Sequence, residues 1–405
     1  MKQLKVLTAV TCLLGITSHL SAGTALDTRL RFKLGREHLI YESPEWNTSW
    51  PKAVWTGRRA IVVWDELPPS LEHRDLMMAS TSADGVLIGN PKKVARTYGG
   101  NMPMIAWTGK SVIVAWDGPL SQGEQSYVLR IQPFSEHMVP RSSPWVLKGA
   151  SNVRCRCMPS SGTQCAIIWD NQIAADAWQF GLLILDDSGK PTSKPVVLGT
   201  RNGYPSSAAW DGDHIDLVYH SNADSISQES LWLMRIDPRK ATVISESRII
   251  KSPGSASVAR HGPHALYLVW DALNASSAWE LKGAQLDCRT GRTTNAVRLG
   301  PYQETSAAGV TGVSDQAYQR QTPATGVAWT EGPTVGPYDV YIALATQSDR
   351  PGKQVLKVSD SNVLAMESTV VSTGTGFLVL WRDWKDGRFG GDLFTRRVYP
   401  VKPAP

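Results

Sequence analysis

Long apolar runs are missing from this sequence of 405 residues. The best candidate, Val6 to Ile16, falls far short of the ~18–20 residues a membrane-crossing helix needs, so no transmembrane segment is expected in the mature chain. Concentrated basic charge is missing too. The formal net charge is +6, and pairs such as Arg58-Arg59, Lys92-Lys93 and Arg396-Arg397 lie far apart. Nucleic-acid binders carry a basic stripe with interleaved aromatics, so no nucleic-acid partner is expected. Cysteine is scarce, at five residues, and none clusters with histidine at metal-ligand spacing; no metal and no other cofactor is expected. There is no phosphate loop, dinucleotide fingerprint, Gly-x-Ser-x-Gly elbow or His-Glu-x-x-His pair, which leaves the chemistries carrying those signatures without support. Helix-period segments of useful length are also lacking. Disorder is disfavoured by a 42% hydrophobic content and sixteen tryptophans.

What is present is a repeat. The stretch Ala60-Ile61-Val62-Val63-Trp64-Asp65 has relatives ending at Trp116-Asp117, Trp169-Asp170, Tyr219-His220, Trp270-Asp271, Trp329-Thr330 and Trp381-Arg382-Asp383. The steps between the aromatics are 52, 53, 50, 51, 59 and 52 residues, and a period of about 40–50 residues reads as the blade of a propeller. Each unit opens with a short segment running into an aromatic and a glycine turn, as in Trp55-Thr56-Gly57, Trp107-Thr108-Gly109 and Trp210-Asp211-Gly212. Glycine supplies the positive φ that a tight hairpin turn requires. Third and fourth apolar segments follow, for example Leu182 to Leu185 and Pro195 to Leu198, so each unit predicts a four-stranded antiparallel meander. The second strands, such as Leu266-Tyr267-Leu268-Val269-Trp270, are apolar at every position. That pattern belongs to a sheet covered on both faces.

The ends predict how the ring closes. The seventh unit runs out after three strands, while strand-like material at Leu30–Leu34 and His38–Tyr41 precedes the first unit. This N-terminal strand is expected to complete the last blade and remove the exposed edges of an open array. The fold class is therefore an all-β, seven-bladed β-propeller, with residues 1–25 as a signal peptide and 26–405 as one domain. The signal reading rests on Lys2 and Lys5, the short apolar run and the small residues Ser21, Ala22, Gly23 and Ala25. It predicts export to the periplasm or the extracellular space, and a monomer is expected. In an oxidising compartment Cys157 and Cys165, flanking the turn Pro159-Ser160-Ser161-Gly162, are expected to form a disulfide, with Cys155 as the alternative partner.

The Trp-Asp ending and the glycine turn resemble the blades of many secreted bacterial seven-bladed β-propellers, across all seven units. The sequence departs from WD40 blades, which add a Gly-His signature, and from sialidases, whose Ser-x-Asp-x-Gly-x-x-Trp box is absent. The resemblance implies architecture and export, and no substrate.

Loops after the second strands and before the first strands should share one face. It would gather Asp65, Asp117, Asp170, His220, Asp271, Thr330 and Asp383, either as a crown of carboxylates for a polar ligand or as turn acceptors for backbone N–H groups. The candidate acid/base residues are His220, Asp65 and Asp271, since neutral imidazole serves as a base near pH 7. The candidate ligand-binding aromatics are Trp50, Trp178, Tyr204, Trp279 and Trp384, since aromatic faces stack on sugars and anchor interfaces. The function expected is non-catalytic binding of a protein or glycan through this loop face. The alternatives are a polysaccharide lyase or hydrolase working at the channel mouth and a structural envelope scaffold.

Overall fold

The computed structural model describes residues 31–401 except 44–47, 68–72, 99–101, 122–123, 125, 149–152, 175–176, 222–228, 252, 263, 274–278, 301–308, 314–317, 320–321, 333–336, 347–353, 361–363 and 385–390. The signal peptide expected over 1–25 lies outside the described residues.

Seven antiparallel sheets follow one another along the chain. Blade 1 comprises Thr48–Trp55, Ala60–Glu66, Arg74–Thr81 and Lys92–Thr97, and blade 2 comprises Met104–Trp107, Val112–Pro119, Tyr127–Phe134 and Trp145–Leu147. Blade 3 is Val153–Cys157, Cys165–Ala174, Ala177–Leu185 and Val196–Arg201; blade 4 is Gly203–Trp210, Ile215–Ser221, Ser230–Asp237 and Thr242–Lys251. Blade 5 is Ala256–Gly262, Ala265–Leu273, Trp279–Asp287 and Val297–Arg298. Blade 6 is Gly309–Val313, Thr322–Glu331, Asp339–Thr346 and Val355–Lys357, with the short Tyr318–Gln319 paired beside it. Blade 7 takes Ala365–Ser372, Phe377–Asp383 and Asp392–Val401 from the C-terminal part, and Arg31–Tyr41 is its outermost strand.

The first hairpin turn of a blade is fixed by its own side chains. Gly57, Gly109 and Gly212 hold φ of 93°, 82° and 97°, a region that only glycine enters freely. The residue before each glycine closes the loop: Thr56 Oγ1 donates to the Arg59 carbonyl and Thr108 Oγ1 to that of Ser111. In blade 4 Asp211 Oδ1 accepts from the backbone N–H groups of Asp213 and His214. Thr-Gly and Asp-Gly are thus two solutions to one turn.

Packing follows from the all-apolar second strands. Seven hydrophobic layers separate the blades, one at each junction, including that between blades 7 and 1. An open arc of seven sheets has six junctions, so the seventh layer, built from Leu378, Leu380, Ile40, Ala60, Val62 and Trp64, is the closure. The repeat aromatic always plugs the layer against the preceding blade: Trp64 against blade 7, Trp116 against blade 1, Trp169 against blade 2 and onward to Trp381 against blade 6. All seven aromatics are buried. Trp169 needs room that only glycine leaves. It pairs across the strands with Gly181, where a Cβ would stand 2.1 Å from the indole.

Arg31–Tyr41 is one continuous strand, antiparallel to Asp392–Val401 and kinked by register shifts after Leu34 and Leu39. Its side chains bind both neighbouring blades. Tyr41 Oη donates to Glu66 Oε1 of blade 1 at 2.7 Å, and the Phe32 backbone exchanges two hydrogen bonds with the Gln354 amide near blade 6.

The cysteine pairing expected from sequence is not formed in this structure. Cys155, Cys157 and Cys165 are all buried thiols. A register shift between Cys155 and Cys157 sets Cys155 opposite Trp169 and Cys157 opposite Ile168, while Cys165 faces Ser160. Cys157 consequently packs in the layer towards blade 4, and Cys155 and Cys165 in the layer towards blade 2. Burial pushes the Cys157 thiol up to about 12. Cys288 is a buried thiol as well.

Candidate functional site

The first strands of the blades line an axial cavity of about 550 Å³. Blades 1 to 5 and blade 7 all contribute to its wall. The chemistry of that wall depends on bulges. In five first strands the register slips opposite the repeat aromatic: between Ser49 and Lys52, Cys155 and Cys157, Pro205 and Ser207, Val310 and Gly312, and Met366 and Thr369. A bulge inserts a residue and re-aims its neighbours. Here the slips bring Trp50, Arg156, Ser206 and Glu367 to the cavity at one level.

Two of these residues are held in the left-handed backbone region, Trp50 at φ 53° and Glu367 at φ 52°. Each costs of order 1–3 kcal/mol unless its surroundings fix it. They fix each other across the junction of blades 1 and 7, because the Trp50 N–H donates to Glu367 Oε2 at 2.7 Å. The other carboxylate oxygen, Oε1, accepts from Arg382 Nη2 at 2.9 Å, and Arg382 Nη1 also donates to the Thr48 carbonyl. Burial raises the Glu367 pKa, and Arg382 opposes that shift.

The cations of the wall divide into two kinds. Arg156 Nε donates to the buried Asp170 at 2.6 Å, and its guanidinium lies 5.7 Å from the Tyr204 ring centroid. Lys52 and Arg154 have no hydrogen-bond acceptor and no ion-pair partner among the described residues; the Arg154 Nε is buried without a partner. Lys52 interacts electrostatically with Glu367 of blade 7 and with Cys157 of blade 3, so its ammonium lies in the space between those blades. Burial depresses the Lys52 pKa, against the pull of Glu367.

The three acid/base candidates are not brought together. Asp65 is buried on blade 1 and accepts from Arg74 Nη1 at 2.5 Å. His220 is 1% exposed on blade 4, its ring stacked 5.2 Å from Tyr204 and both ring nitrogens without a partner. Burial alone lowers its pKa to about 4. Asp271 is buried on blade 5; desolvation raises its pKa to about 7, opposed by backbone N–H groups of Asp271 and Ser255. Asp117, Asp170, Thr330 and Asp383 are buried as well, so the ring of acids at the strand ends is internal. Among the described residues no group of three or more His, Cys, Asp or Glu is placed to hold a metal, and no helix is long and apolar enough to cross a membrane.

Of the five aromatic candidates, Trp50 and Tyr204 line the cavity. Trp178 is half-buried and packs in the layer between blades 3 and 4. Trp384 is half-buried under the Arg382 guanidinium, 5.2 Å from its ring. Trp279 opens a strand of blade 5, and its side chain lies outside what the structure describes. Sequence reasoning missed Lys52, Arg154, Arg156 and Glu367. The alternation Val153-Arg154-Cys155-Arg156-Cys157 carried a signal, since buried Val and Cys alternate with half-exposed Arg. It also missed a rim of exposed Leu120, Ile173 and Leu273, all at the ends of second strands.

No family model and no curated protein matches the chain. Among solved structures, a protein of unknown function from Dyadobacter fermentans aligns with 91% of this chain and 99% of its own, at 10% identity and a TM-score of 0.56. The Cps50 (Swd1) β-propeller domain of Myceliophteria thermophila covers 91% and 100%, at 10% identity and 0.52. The β-propeller domain of the Trilobed protease from Pyrococcus furiosus, described as having an open velcro topology, covers 86% and 95%, at 12% and 0.51. The likeness is one of fold. The propeller described here differs from the last in its closure, since its N-terminal strand pairs with Asp392–Val401.

Proposed function

We propose that the mature chain is an exported, monomeric binding propeller that takes a saccharide into its axial cavity. The observation that carries this reading is the cavity wall. A volume of about 550 Å³ is lined by Trp50, Trp55, Trp107 and Tyr204 together with Ser206, Ser207, Ser255 and Ser257. Cavities of roughly 300–1,000 Å³ suit compact ligands, and aromatic faces beside hydroxyls match the two chemical faces of a sugar ring.

A glycan array probed with the secreted, purified protein tests the reading. Binding is expected, and Trp50→Ala and Tyr204→Ala should each weaken it about tenfold or more, as loss of an aromatic contact of 1.4 kcal/mol does. The apolar rim of Leu120, Ile173 and Leu273 supports a second reading, a protein partner seated over the same mouth. A silent array, with a stable complex that Leu120→Asp and Ile173→Asp abolish, would favour that partner. A chain that binds nothing and whose loss weakens the envelope would favour the scaffold.

A further inference from the structure

We infer that the axial cavity selects an acidic saccharide, whose carboxylate is held by Lys52 and Arg154. This rests on the saccharide reading above and narrows it. The argument is one of unspent charge. The Lys, Arg, Asp and Glu side chains on the wall are Lys52, Arg154, Arg156, Asp117 and Glu367. Glu367 has committed one oxygen to Arg382 and the other to the Trp50 N–H. Asp117 is 1% exposed and already has a partner. Arg156 is committed to Asp170. The two cations left without a hydrogen-bond acceptor among the described residues, Lys52 and Arg154, sit on blades 1 and 3 and border one cavity, Arg154 lying cross-strand from Asp170.

Removing a cation from bulk water without a counter-charge is costly, and proteins normally pair it. An unpaired Lys and Arg facing a shared cavity therefore describe the complement of an anion. A carboxylate suits the pair: guanidinium offers a planar fork and ammonium a mobile point charge. Tyr204 and Trp50 lie on the same wall, so the ring that bears the carboxylate has aromatic faces to rest on.

Neither cation makes a hydrogen bond or close ion pair among the described residues; Lys52 feels Glu367 and Arg154 feels Asp170 only through space. Lys52→Met and Arg154→Met should therefore keep the wild-type fold and melting temperature, which makes them clean reporters. The test is an array of uronate- and sialate-bearing oligosaccharides beside their neutral counterparts, with an acidic peptide, triglutamate, as a third arm. A titration with free glucuronate and glucose, read by the thermal shift, runs alongside. Binding confined to acidic sugars is expected. Each variant should lose at least tenfold in affinity, and Lys52→Arg should recover most of it. Raising the salt should weaken wild-type binding only.

Equal binding of neutral sugars, unchanged in both variants, would overturn the acidic claim and leave the saccharide reading intact. Binding of triglutamate alone, lost in both variants, would overturn the saccharide half of the claim. Silence in all three arms would overturn both.

Discussion

His220 occupies the position that four other repeats give to an aspartate directly after the aromatic, and its surroundings explain the exchange. In blades 1 and 3 the acid meets an arginine of its own blade. In blade 4 the cross-strand residue is Tyr204, which stacks on the imidazole instead. The ring is there as a flat, neutral plate. Its folded pKa of about 4 lies below the ordinary 6.5, so the unfolded chain takes up a proton first as the pH falls. The stability that the neutral ring contributes is lost between about pH 6.5 and 4, and buried His261, also lowered to about 4, acts in the same direction. His220→Phe keeps the stack and removes two unpaired nitrogens; it should raise the melting temperature at pH 5 more than at pH 8. Asp271 has the opposite sign. With a folded pKa of about 7 against 3.8, its contribution is full below about pH 4 and is lost as the pH rises through 7. Asp271→Asn should therefore stabilise by about 1–3 kcal/mol at pH 8 and hardly at all at pH 4, measured by denaturant titration at both values.

The strand is the scale at which sequence and structure part. Every second strand was legible, because a run such as Phe377-Leu378-Val379-Leu380-Trp381 is apolar at each position and the structure buries it on both faces. The first strands were not legible to the same depth. Their function-bearing residues are set by bulges, and a bulge leaves no composition signature: nothing in Trp50-Pro51-Lys52 or Met366-Glu367-Ser368 announces that one residue is extra. The placement of the cysteines has the same origin, since the slip between Cys155 and Cys157 sets Cys157 in a different layer from Cys165. Trp178 is ambiguous in the sequence because an aromatic in a loop-proximal strand looks alike whether it packs or projects. At this scale Gly181→Ala is predicted to cost about 1–3 kcal/mol, because the added methyl meets Trp169. Thermal melts would show it, and the double variant Gly181→Ala with Trp169→Phe should recover part of the loss.

For the whole molecule the aromatic wedges and the N-terminal strand act together. Seven layers, each plugged by the aromatic of the following blade, make every blade the support of its neighbour. Trp329, fully buried between blades 5 and 6 with its Nε1–H on Glu331 at 2.7 Å, should cost about 3–5 kcal/mol on truncation to Ala, read from chemical denaturation. Tyr41→Phe removes only the hydrogen bond to Glu66 and should cost about 1 kcal/mol. Deleting 31–41 removes the whole outer strand and exposes the edge of Asp392–Val401, so aggregation on refolding is expected beside a lower melting temperature. A deletion variant that refolded cleanly would show that the seven layers hold the ring without the outer strand.

The same strand sets a clock on the molecule's birth. Arg31 leaves the ribosome about 370 residues before its partner Val401. At roughly 5–20 residues per second that interval is on the order of tens of seconds. Throughout it the emerging polypeptide holds a mateless ribbon at one end and an unfinished sheet at the other. Such a chain cannot lock itself shut until Asp392–Val401 is made, and Phe32 and Ile40 stay without their final packing until then.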